Sequence, residues 1–251
     1  MELHPSAAHQ VGILHRVRVV VGVCFLLGAG FLWAGREYAR TSARPEAAQP
    51  SPARRPPTPI FEERFNGTHL SGRWRDDSRF GWTRYTIVPD AGSTVLRADS
   101  QSAASTLIAP VSCSAVDYPR LRWRWKVERL PAGADLSLRR GSDAAARVYV
   151  VFTIGRLLWQ KRLLNYVWAT SRDPNGIQLP SAFSRNSAIF VIESGDEFLN
   201  QWRTEERNIY VDYRRAFGAE PPPLAAIALM TDTDNTRSHA IAYYDDITLG
   251  P

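Results

Sequence analysis

The chain has 251 residues, with 31 basic and 25 acidic side chains and a formal net charge of +6. That charge is uneven: residues 1–60 carry seven Arg and three Glu, which leaves residues 61–251 near neutral and gives a nucleic-acid partner little electrostatic basis. The two cysteines, Cys24 and Cys113, lie in different kinds of segment, so an intradomain disulfide framework and a cysteine-based zinc site are both excluded.

Residues 1–18 read as an N-terminal tail. Val19 to Ala34 is an uncharged, apolar stretch of 16 residues bounded by Arg16, Arg18 and Arg36. It is short for a spanning helix, and a signal-peptide core would also fit. Trp33 and Tyr38 at its far side fit interfacial anchors. Residues 19–35 are therefore read as a membrane helix, with a cleaved signal sequence as the alternative. The expected address is a bacterial inner membrane, single-pass, with the domain on the periplasmic side. The alternative is a domain secreted to the periplasm after cleavage. Residues 36–59 follow as a linker, with six prolines between Ala43 and Pro59. At about 3.1 Å per residue that Pro-rich part spans roughly 50 Å as a semi-rigid stalk.

Residues 60–251 are read as one domain with mostly β signals. Thr83–Val88 alternates, and Leu121–Val127 places Leu121, Trp123, Trp125 and Val127 on one face and three cations on the other. Ala146–Ile154 is a nearly continuous β-branched and aromatic run. Ser187–Ile192, Leu224–Met230 and Ala240–Leu249 add further strands, with turn-rich stretches between. The spacing predicts an all-β, two-sheet antiparallel sandwich of jelly-roll type. One short helix is expected near 209–217. Ile209, Tyr213 and Phe217 share a face there, Gly218 stands at the C′ position, and Pro221 to Pro223 forbid continuation.

Four groups of side chains carry candidate chemistry. Asp232, Asp234 and Asn235 lie in the run MTDTDNT between two strands, where clustered oxygens suit a hard cation or a polyhydroxylated ligand. An EF-hand register fails, because Arg237 falls at the glycine position and Tyr243 at the bidentate one. Asx-turn chemistry is the structural alternative. Glu206 and Asp212 form a second candidate as an acid/base pair, with Arg207 beside them for ligand binding; helix-entry electrostatics would also account for them. Arg147 lies within the apolar run of a core strand, and a buried charge needs a partner. The acids of 232–235 or of 205–212 are the candidates, and Arg147 itself suits an anionic ligand group. Among the tryptophans, Trp159 is the expected exposed one, available to stack on a sugar ring.

The motifs DAAARVYVVF, then ERN with DY and AFG, then MTDTDNT, resemble an uncharacterised bacterial family of domains of unknown function, over roughly Phe61 to Leu249. The resemblance implies no activity. The closing strand Ala242–Leu249 is also similar to the last strand of jelly-roll carbohydrate-binding modules. That second resemblance implies a structural Ca²⁺ at Asp245 or Asp246. The expected function is a membrane-tethered envelope domain that binds a glycan or other polyhydroxylated ligand. A glycan-active hydrolase or lyase, and an interaction module without a small-molecule site, are the alternatives.

Overall fold

The computed structural model describes residues 58–90, 92–155, 160–171, 178–181 and 184–251. The N-terminal tail, the 19–35 membrane or signal segment, the linker up to residue 57, and Trp159 lie outside the described residues.

The described chain is an all-β sandwich of two sheets with one short α-helix. Its strands are β1 (Phe61–Glu63), β2 (Arg75–Phe80), β3 (Arg84–Asp90), β4 (Ser93–Gln101), β5 (Ala104–Pro110), β6 (Arg120–Arg129) and β7 (Ala146–Thr153). They continue with β8 (Lys161–Ala169), β9 (Gln178–Pro180), β10 (Ser187–Ser194), β11 (Arg203–Asn208), β12 (Leu224–Asp232) and β13 (His239–Gly250). Sheet A runs β11-β6-β13-β4-β3, with β1 also paired to β13. Sheet B runs β2-β5-β12-β7-β8-β10-β9. The pairing is antiparallel except for β8 with β10, which run parallel. This departs from the all-antiparallel expectation. The chain leaves β8, adds β9 as an edge, and returns antiparallel to β9, which aligns β10 with β8.

The core is set by strand alternation. On β6 the odd-numbered Leu121, Trp123, Trp125 and Val127 are fully buried, while Arg122, Arg124 and Lys126 point to the outer face of sheet A. Trp123 stacks on Tyr166 of β8 at 5.3 Å and meets Trp125 edge-on at 5.4 Å; Trp125 meets Trp168 at 5.9 Å. These rings join the two sheets, and truncating either β6 tryptophan to Ala costs about 3–5 kcal/mol.

The helix α1 (Ile209–Phe217) forms where its pattern and caps require it. The Asn208 side chain accepts from the Val211 N–H at 3.0 Å. Gly218 takes the left-handed conformation at φ 62° and its N–H closes on Arg214 O at 2.9 Å. Ile209 and Tyr213 are buried, with Tyr213 against Phe152 at 4.6 Å, whereas Val211 faces solvent. The segment 203–208 is a correction to the helix-entry reading: it is the edge strand β11, paired with β6.

The chain enters at one end of the sandwich, where Ile60 N–H donates to Leu249 O and Phe61 pairs with Leu249. The β12–β13 loop lies at the opposite end of β13, beside the β2–β3 and β4–β5 turns and the segment leading into β7.

Candidate functional site

At that far end three carboxylates converge. Asp232 closes β12, Asp234 follows in the loop, and Asp143 sits in the turn before β7. Their nearest oxygens lie within 4.8 Å of one another. Each is handled differently. Asp143 is fully buried and accepts four hydrogen bonds from the loop: Asn235 N at 3.2 Å and Nδ2 at 2.9 Å, Thr236 N at 2.7 Å and Oγ1 at 2.6 Å. Asp232 is buried and takes Arg147 in a bidentate grip, Nε to Oδ1 at 2.7 Å and Nη2 to Oδ2 at 3.2 Å, with Ala144 N on Oδ1 at 3.1 Å. Arg147 also donates to Ser142 O at 2.8 Å. The neighbouring anion holds its guanidinium firmly charged.

Arg147 is thus the interior charge that alternation placed in β7, and Asp232 is its partner. Tyr244 of β13 locks the same region from sheet A. Its hydroxyl donates to Met230 O at 2.7 Å, lies 3.0 Å from Thr231 Oγ1, and accepts from Arg147 N at 3.2 Å. Arg147 and Asp232 therefore spend their polar atoms inside the protein.

The solvent-facing members are Asp234 and Asn235. Burial, then the charges of Asp232 and Asp143, push the Asp234 carboxyl up to about 6. Asn235 Nδ2 donates to Asp234 Oδ1 at 3.2 Å. A cation entering this cluster would compete with Arg147 for both oxygens of Asp232. Nearby, the β2–β3 turn exposes Phe80 and Trp82, the latter at 66%. The turn is fastened to β12 by Thr83 Oγ1, which donates to Thr231 O at 2.9 Å. Gly81 in this turn has φ 62°, and a Cβ there would press on Ala103. Trp82 is the exposed tryptophan that sequence reasoning passed over. Its place between a strand end and a glycine turn was the available signal.

The Glu206 and Asp212 candidates are set apart, Glu206 on strand β11 and Asp212 on helix α1. Glu206 is exposed on the outer face of sheet A, in register with Arg122. Asp212 is buried under the other face, where it accepts from Arg207 Nη2 at 2.6 Å, Arg207 Nε at 2.9 Å and Tyr166 OH at 2.8 Å. Arg207 is consumed in that contact.

Asp245 and Asp246 lie at a bulge in β13, with Asp246 at φ 49°. Arg124 holds both: Nη2 reaches Asp245 Oδ2 at 2.5 Å and Nε reaches Asp246 Oδ2 at 3.0 Å. Asp245 Oδ1 is buried and lacks a hydrogen-bond partner among the described residues. Two carboxylates gripped by one fixed guanidinium do not fit Ca²⁺, which takes about six to eight oxygens. The guanidinium of Arg124 also lies 4.6 Å over Trp202, whose Nε1 donates to Asp90 Oδ2 at 2.7 Å. Lys126 pairs with the same Asp90 at 2.7 Å and lies 4.4 Å over Tyr243. This outer-face network was half visible, since alternation fixed its cations and left their partners open.

Residues 73–248 match the model of one family, described as a protein of unknown function (DUF3047). No curated protein matches the sequence. Among solved structures, the chain is similar to the family 11 carbohydrate-binding module of the cellulosomal cellulase Lic26A-Cel5E of Clostridium thermocellum. The identity is 10% over 77% of this chain and 97% of that one, at a TM-score of 0.40. The family 30 module of Cel9D-Cel44B from the same organism matches at 9% identity over 75% and 96%, TM-score 0.43. The xyloglucanase domain of NopAA, a type three effector from Sinorhizobium fredii in complex with cellobiose, matches at 7% identity over 74% and 98%, TM-score 0.42. Superpositions this loose transfer no site.

Proposed function

The chain belongs to the DUF3047 family, and for this member we propose a membrane-tethered binding domain of the cell envelope that takes a glycan or other polyhydroxylated ligand at its far loop end. The observation that carries the reading is the division of labour around Asp234. Asp143, Asp232, Arg147 and Tyr244 are buried and hydrogen-bonded to one another's loops, which fixes Asp234 and Asn235 at the surface. With both Nδ2 hydrogens of Asn235 spent on Asp143 and Asp234, the pair presents carboxylate and carboxamide oxygens side by side, which can accept from vicinal hydroxyls. The exposed ring of Trp82 supplies an apolar face of the kind on which a pyranose stacks. The geometry also suits a tether through residues 19–35. The chain enters at Ile60, at the opposite end from Asp234, so a membrane-held N-terminus leaves the loops free to meet ligand.

The test is a glycan array probed with the full chain in nanodiscs, beside Asp234→Ala, Asn235→Ala and Trp82→Ala. Binding by the wild type that each substitution weakens at least tenfold, with unchanged circular dichroism, is the expected outcome. A folded wild type that retains no glycan, or one whose binding survives all three substitutions, overturns the proposal.

A further inference from the structure

Edge strand β11 has an unusual inner side. Arg203, Glu205 and Arg207 are its partly buried, inward-facing residues, and Thr204, Glu206 and Asn208 face out. The inner three meet partners on β6, on sheet B and on α1. Arg207 is taken by Asp212, which also accepts from Tyr166. Arg203 Nε donates to Glu193 Oε1 of β10 at 2.8 Å. Glu205 Oε1 accepts from Trp125 Nε1 of β6 at 3.2 Å. Two acceptors are then left facing each other. Glu193 is only 3% exposed, and its Oε2 is buried with no donor among the described residues. Glu205 stands within hydrogen-bonding reach of it. Ionised carboxylates accept only, so this contact cannot close unless one of the two carries a proton.

We propose that Glu193 and Glu205 share one proton, held by Glu205 and donated to Glu193, and that this bond latches edge strand β11 of sheet A to β10 of sheet B. The charges around the pair support the assignment. Glu193 has the Arg203 guanidinium on its other oxygen, whereas among the described residues Glu205 has only the neutral indole of Trp125 as a donor. On the same strand face, Arg207 is committed to Asp212, which also accepts from Tyr166, and Arg203, beside Glu205, is partly open to solvent. Burial first, and the Glu193 charge second, push the Glu205 carboxyl from 4.5 up to about 7. Because the folded value is the higher one, the latch contributes fully below pH 4.5 and is lost as pH rises through about 7. Above that point two like charges oppose each other in the gap, and β11 is left to its ladder with β6 and to the Arg203–Glu193 and Arg207–Asp212 contacts.

Glu205→Gln separates this proposal from a merely structural contact. Its carboxamide can donate permanently to Glu193 and still accept from Trp125. Hydrogen exchange at the β11 amides, corrected for intrinsic base catalysis, is read on the full chain across the window from 4.5 to about 7 and beyond it. Wild-type exchange is expected to speed up by roughly 10- to 100-fold, less than the full shift implies because solvent reaches part of Glu205. E205Q should show no such step. Infrared difference spectra, wild type minus E205Q, provide the second measurement: the Asp234 carboxyl, itself pushed up to about 6, cancels, and a protonated carboxyl band that persists to about 7 should remain. An identical exchange step in both proteins overturns the latch, as does a difference band that vanishes at the ordinary glutamate value. Should E205Q fail to fold, the band of Asp234→Asn, which leaves Glu205 in place, decides alone.

Discussion

Replacing Arg147 by Met strips the guanidinium from a site where solvent cannot replace it. Arg147 and Asp232 are 3% and 4% exposed and joined by two hydrogen bonds, so Asp232 would keep only the Ala144 N–H, with Asp143 close by. Breaking one side of a buried ion pair costs about 3–5 kcal/mol. Against a total stability of about 5–15 kcal/mol that is a large fraction, and in a domain of this size it lowers Tm by roughly 6–20 °C. The loss has a pH signature. Burial pushes the Asp232 carboxyl up and Arg147 opposes it; without Arg147 only the Ala144 N–H is left against the upward causes, burial and the Asp143 charge. The variant's Asp232 then has a folded value above its unfolded one. Its stability is best retained in acid and falls as pH rises through that raised value. Urea unfolding followed by tryptophan fluorescence, at several pH values, measures both effects. Adding Asp232→Asn to Arg147→Met should recover most of the loss at neutral pH. A deficit under about 1 kcal/mol, or one that does not change with pH, would refute the argument that a buried charge has been orphaned.

Two further outcomes follow from the same region. Asp234, pushed up from 3.8 to about 6, opposes folding increasingly as pH rises through about 6. Asp234→Asn should therefore stabilise the domain at neutral pH by about 1 kcal/mol, after allowing for its partial exposure, and make no difference below 3.8. Tyr244→Phe removes the hydroxyl shared by Met230 O, Thr231 Oγ1 and Arg147 N, at a cost of about 1–3 kcal/mol in urea unfolding. Burial keeps that phenol protonated, so this loss should be flat across neutral pH.

Local rules made some parts of this fold legible and hid others. Helix α1 could be bounded from sequence because apolar spacing, Asn208, Gly218 and the proline run all act within a turn of the residues they affect. Strand β6 was readable because its alternation is perfect and its polar face is wet. Strand β11 was hidden for the opposite reason: its inward side is charged, so Arg203 to Asn208 has no apolar alternation to read. For Arg147, the sequence demanded a partner and allowed two groups of acids; the pairing of Met230 with Arg147 on adjacent strands brings Asp232 and not Asp212 to it. The separation of Glu206 from Asp212 was equally out of reach, because it depends on where β11 ends and α1 begins. Glu193 and Trp202 meet partners far away in sequence, and only the sandwich brings Glu205 and Asp90 to them.

The placement of β13 governs when this domain can become itself. The last strand in sequence lies in the middle of sheet A, where β1, β4 and β6 all pair with it. Until His239–Gly250 has been synthesised, β4 and β6 have no common neighbour, and Arg147 lacks the Tyr244 hydroxyl that receives its amide. Sheet A is therefore completed only by a late, long-range closure, the slow kind of pairing that leaves strand edges open meanwhile. A chain stopped short of His239 should stay unfolded and protease-sensitive, whatever the intrinsic quality of the strands before it.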